Sequence, residues 1–205
     1  MSFINKFTKK DLGFAVLTGL ITGLIFWRVF EFLGASLVYG ISWGALVVII
    51  PILWILGVLL GYLLGGWMQF FNQFGKFVAI GFTNAAVTFG TLNLLISKTG
   101  YTDGGGYAFI SGVGFIFGLL SSYVWNKYWA FDAGRSGGGK AEFFKFVSVS
   151  LVALLFNVVT SSVVVNLIHP VLGLDLKQWA NIGAIAGSAV GLIFSFVGFR
   201  TAVFK

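Results

Sequence analysis

The residues of this chain best suited to chemistry are suited to binding. SSYVWNKYWAF (121–131) closes a long apolar run and sets Ser122, Asn126 and Lys127 within two turns of one another. Upstream, KFVAIGFTNAAVTF (76–89) places Asn84 and Thr88 one turn apart, on a face shared with Gly81 and Thr91. Asn157, Ser195 and Arg200 stand in comparable settings further on. Amides and hydroxyls both donate and accept hydrogen bonds, and Lys and Arg add charge-assisted donors that fit a phosphate. Each group also has a plainer use. The amides and hydroxyls can join helices in lipid, and the cations can snorkel and set topology. The sharper expectation is a polar groove at Asn84 and Thr88, with Lys127 and Arg200 as a cationic clamp.

Catalytic sets are missing from the sequence. His169, beside Pro170, is the only histidine, and there are no cysteines. No Ser/His/Asp set, metal-ligand cluster or carboxylate pair can be assembled. GRSGGGKA (134–141) approaches a phosphate-cradling loop, but it ends in Ala141 and follows no strand. It is read as a linker. The expectation is a protein that is not an enzyme and uses no cofactor or metal.

These side chains must be held in a bilayer. Of 205 residues, 58% are hydrophobic and 9% charged, against about 25% charged in soluble domains. Six continuous apolar runs, about 12–33, 44–66, 75–97, 107–128, 145–168 and 179–202, are each long enough to span as a helix. They lack the short alternation of barrel strands. Pro51 lies inside the second and predicts a kink. No small-residue cleavage site follows the first run, which is read as an uncleaved anchor.

With the N-terminus inside, Lys6, Lys9, Lys10, Lys76, Lys127, Arg135, Lys140, Lys145, Arg200 and Lys205 are internal, and only Arg28, Lys98 and Lys177 are external. That bias predicts a cytoplasmic-membrane protein with both termini cytoplasmic. The net charge of +7, gathered at helix ends, suits anionic or phosphorylated lipid rather than nucleic acid. Arg28 and Glu31 can pair three residues apart, or make an outer-side contact.

A shift of 73 residues lays the chain on itself. Asn84 meets Asn157, Asn93 meets Asn166, Ser122 meets Ser195, Lys127 meets Arg200 and Phe131 meets Phe204, with no gap over some 48 positions. Each copy holds two spans, so the copies are parallel. The predicted fold is an all-α integral membrane protein of six transmembrane helices, the last four forming two parallel two-helix repeats. Residues 1–69 are read as an N-terminal addition, and 70–205 as a core with repeats at about 70–132 and 143–205. Gly114 with Gly118, and Gly187 with Gly191, repeat a GxxxG spacing that predicts close packing of spans four and six. A homo-oligomer contact is the alternative. Asn126 and Trp129 have no counterpart, because Phe199 and Ala202 stand opposite them.

KFVAIGFTNAAVTF and SYVWNKYWAF, repeated loosely as FFKFVSVSLVALLFN and SFVGFRTAVF, resemble the GtrA-like family. Similar regions occur in the membrane part of some dolichyl-phosphate mannose synthases. The resemblance implies work in polyprenyl-phosphate sugar pathways. It points to translocation of a polyprenyl-phosphate-linked sugar for envelope polysaccharide, or to a non-transporting anchor for a membrane glycosyltransferase. A small ion or solute channel is a third reading. On this view Asn126 holds Ser122 or a sugar hydroxyl. Trp125, Tyr128 and Trp129 form an interfacial belt, and Trp67, Phe70, Phe71 and Phe74 an interfacial segment.

Overall fold

A computed structural model describes residues 7–36, 40, 42–135, 137–171, 173 and 176–204. Lys6 and Lys205 lie outside the described residues, as does the side chain of Lys177. The helices are α1 (Lys9–Phe32), α2 (Leu46–Leu64), α3 (Phe71–Thr99), α4 (Gly104–Trp125), α5 (Gly139–Leu167) and α6 (Leu176–Gly198). All six are long and apolar enough to cross a membrane, and the described residues include no strand. The chain is a multi-pass membrane protein.

Packing divides the chain between Asp132 and Ala133. In the first unit α3 packs against α1, α2 and α4, and α1 packs against α2. The helices alternate in direction, so the start of α1, the end of α2, the start of α3 and the end of α4 share one end, here called the basic end. The two N-terminal helices thus form one body with the first repeat rather than standing apart at residue 70.

Small residues make that body close-packed. A Cβ on Gly19 would lie 2.5 Å from Pro51 Cα, and one on Gly61 would lie 2.8 Å from Phe71 O. Thr22 Oγ1 donates to Thr83 Oγ1 at 3.0 Å, joining α1 to α3 through fully buried hydroxyls. Pro51 therefore sits in α2 as a buried packing partner of α1. The aromatic segment after α2 runs directly into α3. Phe71 and Phe74 belong to the start of α3, and Phe70 packs on both. Trp67 is exposed.

The second unit is the α5–α6 pair. Its packing follows the first repeat with one difference. Cβ atoms on Gly114 and Gly118 of α4 would meet Thr88 O and Leu92, then Thr88 Oγ1 and Asn84 O, on α3. On α6 the same environments belong to Gly183, against Ser161 O and Val165, and to Gly187, against Ser161 Oγ and Asn157 O. The glycine seam therefore corresponds at an offset of 69, whereas Asn84 and Asn157 correspond at 73. This corrects two expectations. The repeat is not gap-free in space, and the glycine pairs face the partner helix of their own hairpin, α3 for Gly114 and Gly118 and α5 for Gly187 and Gly191. Gly191 packs one turn nearer the end of α6, a Cβ there lying 3.1 Å from Ala153 O.

Both helices of the second hairpin carry the extra turn. Stacked or tilted rings close each hairpin, Phe77 on Phe131 at 6.3 Å and Phe146 on Phe204 at 6.1 Å. Asn84 stands seven residues beyond Phe77, but Asn157 stands eleven beyond Phe146. At about 1.5 Å per residue, Asn157 lies about 6 Å further from its ring clasp than Asn84 does.

Candidate functional site

At the basic end of the first unit, Thr8 caps α1. Its hydroxyl accepts from Asp11 N at 3.1 Å, and Asp11 Oδ2 accepts from Thr8 N at 3.1 Å. This reciprocal cap satisfies two of the donors a helix start leaves open. It also carries the Asp11 carboxylate into the interior, where the residue is 2% exposed. Asp11 Oδ2 accepts from Tyr62 Oη of α2 at 2.8 Å, and Asp11 Oδ1 accepts from Trp129 Nε1 at 3.2 Å. Lys76 Nζ of α3 pairs with Oδ1 at 2.5 Å and lies 5.3 Å over the Tyr62 ring. A buried charge is tolerable only when paired and hydrogen-bonded, and Asp11 meets both conditions. Lys10 pairs with Asp132 beside it.

From sequence alone, Asp11 and Tyr62 have no role and Lys76 serves only topology, although T-x-x-D ahead of an apolar run is a legible cap signal. The network also relocates Trp129. It is 1% exposed and stacks on Phe14 at 5.7 Å, so it is not part of an interfacial belt. Tyr128 is exposed, and Trp125 meets Phe14 edge-on.

Beyond α4 the chain makes one π turn, Asn126–Ala130, with Phe131 N donating to Asn126 O at 3.0 Å. Beyond α6 it makes another at Phe199–Val203, with Phe204 N donating to Phe199 O at 2.8 Å. The turns correspond at the offset of 73, and such turns recur at functional sites. Asn126 in the first is 1% exposed. Its Nδ2 donates to Ser122 O at 2.9 Å and Ser122 Oγ at 3.2 Å, so the structure brings Ser122 and Asn126 together. Asn126 Oδ1 is buried and has no hydrogen-bond partner among the described residues. Lys127 is nearly buried, and its Nζ approaches Tyr123 Oη at 3.3 Å.

The amides and hydroxyls among the other expected groups are engaged within their own hairpins. Asn84 Oδ1 accepts from Ser121 Oγ, not Ser122, at 2.9 Å. Thr88 lies against Gly118. Asn157 Nδ2 reaches Ser188 Oγ at 3.5 Å, and Ser195 Oγ donates to Leu192 O at 3.0 Å. Arg200 is exposed in the second π turn. Arg28 pairs with Glu31 at 3.1 Å, at the opposite end of the first unit.

The chain matches no curated protein and no solved structure. Residues 76–204, however, match the family described as GtrA/DPMS, transmembrane domain. That stretch starts at the lysine paired with Asp11 and takes in helices α3 to α6, with both π turns and both glycine seams. The chain belongs to the GtrA/DPMS transmembrane-domain family.

Proposed function

We propose that this protein moves a polyprenyl-phosphate-linked sugar across the cytoplasmic membrane, for glycosylation of cell-envelope polysaccharide. Family membership supports a place in polyprenyl-phosphate sugar pathways. The observation that carries the finer reading is Asn126, which is buried in a π turn beside Lys127 and whose Oδ1 has no hydrogen-bond partner among the described residues. A buried acceptor left unpaired costs about 1–3 kcal/mol, and a sugar hydroxyl would remove that cost. In the first repeat Lys127 supplies a cationic donor for the phosphate, with Ser122, Asn84 and Thr88 as the polar groups of its hairpin; in the second repeat Arg200, Asn157 and Ser195 are the corresponding groups. The polyprenyl tail stays in lipid. The basic end faces the cytoplasm, and the head group enters there.

A second reading, a non-transporting anchor or assembly partner of a membrane glycosyltransferase, is favoured by the internal pairing of Asn84 with Ser121 and of Asn157 with Ser188. Reconstitution separates the two. Pure protein in liposomes should speed access of a labelled glycosyl polyprenyl phosphate to an outside reagent, and Lys127→Gln/Arg200→Gln should abolish the gain. Wild-type rates equal to those of empty liposomes would leave the partner reading.

A further inference from the structure

At the end of the first unit opposite Asp11, α1 and α3 line a groove of about 560 Å³, a size within the range that holds small ligands. Leu24, Val87 and Leu94 give it an apolar wall, and Arg28, Thr91 and Asn93 give it polar groups. Arg28 uses Nη1 on Glu31, whose other oxygen accepts from Trp27 Nε1 at 2.6 Å. A guanidinium has five donors in a fork, so Arg28 keeps donors for an anion while Glu31 is held by two partners. Asn93 Nδ2 is bonded to Phe89 O at 2.8 Å, which leaves its amide oxygen as an acceptor. A cation, an amide acceptor and a hydroxyl beside an apolar wall match a hydroxyl-rich phosphate on a single apolar chain. Ionisable groups inside spanning helices are costly and mark ligand paths. The α1 wall lies outside the matched residues 76–204, so the family domain alone does not build this groove.

We propose that the groove is a second station for the carrier. Arg28 binds the phosphate, Asn93 and Thr91 bind the sugar hydroxyls, and the Leu24–Leu94 wall takes the first carbons of the polyprenyl chain. The inference rests on the lipid-linked sugar reading above and adds a site at the end of the first unit opposite that unit's own π turn.

The test is photolabelling of the full chain in nanodiscs with a diazirine-bearing glycosyl polyprenyl phosphate, with the labelled peptides mapped by mass spectrometry. Label is expected on 24–32 and 87–97. Arg28→Gln should cut it about tenfold, the loss of one charge-assisted contact, whereas Arg28→Lys retains most of it. Leu94→Trp, at a position 59% exposed, fills the groove without touching the core and should also remove the label. Lys127→Gln/Arg200→Gln should leave it in place. Undiminished label in both Arg28→Gln and Leu94→Trp overturns the proposal. So does equal labelling by the polyprenol lacking phosphate, or equal displacement by phosphatidylglycerol. Groove label without transport in liposomes removes the translocation reading and keeps the site. Transport without groove label removes the site alone.

Discussion

Asp11 shows what one buried carboxylate does in a membrane protein. It joins α1 to α2, to α3 and to the turn after α4 through Tyr62, Lys76 and Trp129. Asp11→Ala would strand a mostly covered lysine, a buried phenol and an indole N–H, and breaking a buried pair in this way costs about 3–5 kcal/mol. A fall of that size in thermal or denaturant stability is expected in detergent. Asp11→Leu/Lys76→Met should recover part of it, because no unpaired charge then remains. Trp129→Phe keeps the ring against Phe14 and loses only the hydrogen bond, so a cost of about 1 kcal/mol is expected. The sequence leaves Trp129 without a counterpart, since Ala202 stands opposite it, and suggests an interfacial belt. The structure supplies another reason for the difference: Trp129 answers an aspartate that its own hairpin does not contain. Which polar group meets which depends on side-chain reach across helices, and a linear pattern does not encode that.

At the level of elements, the six helices and their limits were largely legible, because about twenty continuous apolar residues leave the backbone no other way to satisfy itself in lipid. The helix pairing was not. GxxxG marks a flat face without naming its partner, and it occupies neighbours of its own hairpin here. The register has a direct check, since the chain contains no cysteine. A Cβ on Gly114 lies 3.6 Å from Leu92 Cβ, and one on Gly183 lies 3.7 Å from Val165 Cβ, within the usual disulfide separation. Leu92→Cys/Gly114→Cys and Val165→Cys/Gly183→Cys should therefore oxidise readily. Val165→Cys/Gly187→Cys, the pair an uninterrupted offset of 73 implies, should not. Gly112→Ala, where nothing lies within 4 Å of the added methyl, should leave stability unchanged, whereas Gly114→Ala, 2.9 Å from Thr88 O, should lower it.

For the whole molecule, the charge bias predicts which surface is exposed to reagents. Thr102→Cys, between α3 and α4, should react with an impermeant maleimide in intact cells. Arg135→Cys, between α4 and α5, should react only after permeabilisation. The reverse pattern would invert the proposed entry side of the head group. Family membership and the six spans could both be read from apolar runs and a few polar landmarks. The union of α1 and α2 with the first repeat could not, because it rests on Gly19, Gly61 and Asp11, each unremarkable in its own stretch of sequence.

The two π turns bear on how each hairpin ends. A π turn holds one residue more than the α turn it replaces. Both hairpins carry one at places that correspond at the offset of 73. The glycine seam, by contrast, slips by four residues between them. Four residues are close to one whole turn and keep the same helix face turned inward, so the second hairpin is longer between seam and ring clasp without turning its glycines out of the contact.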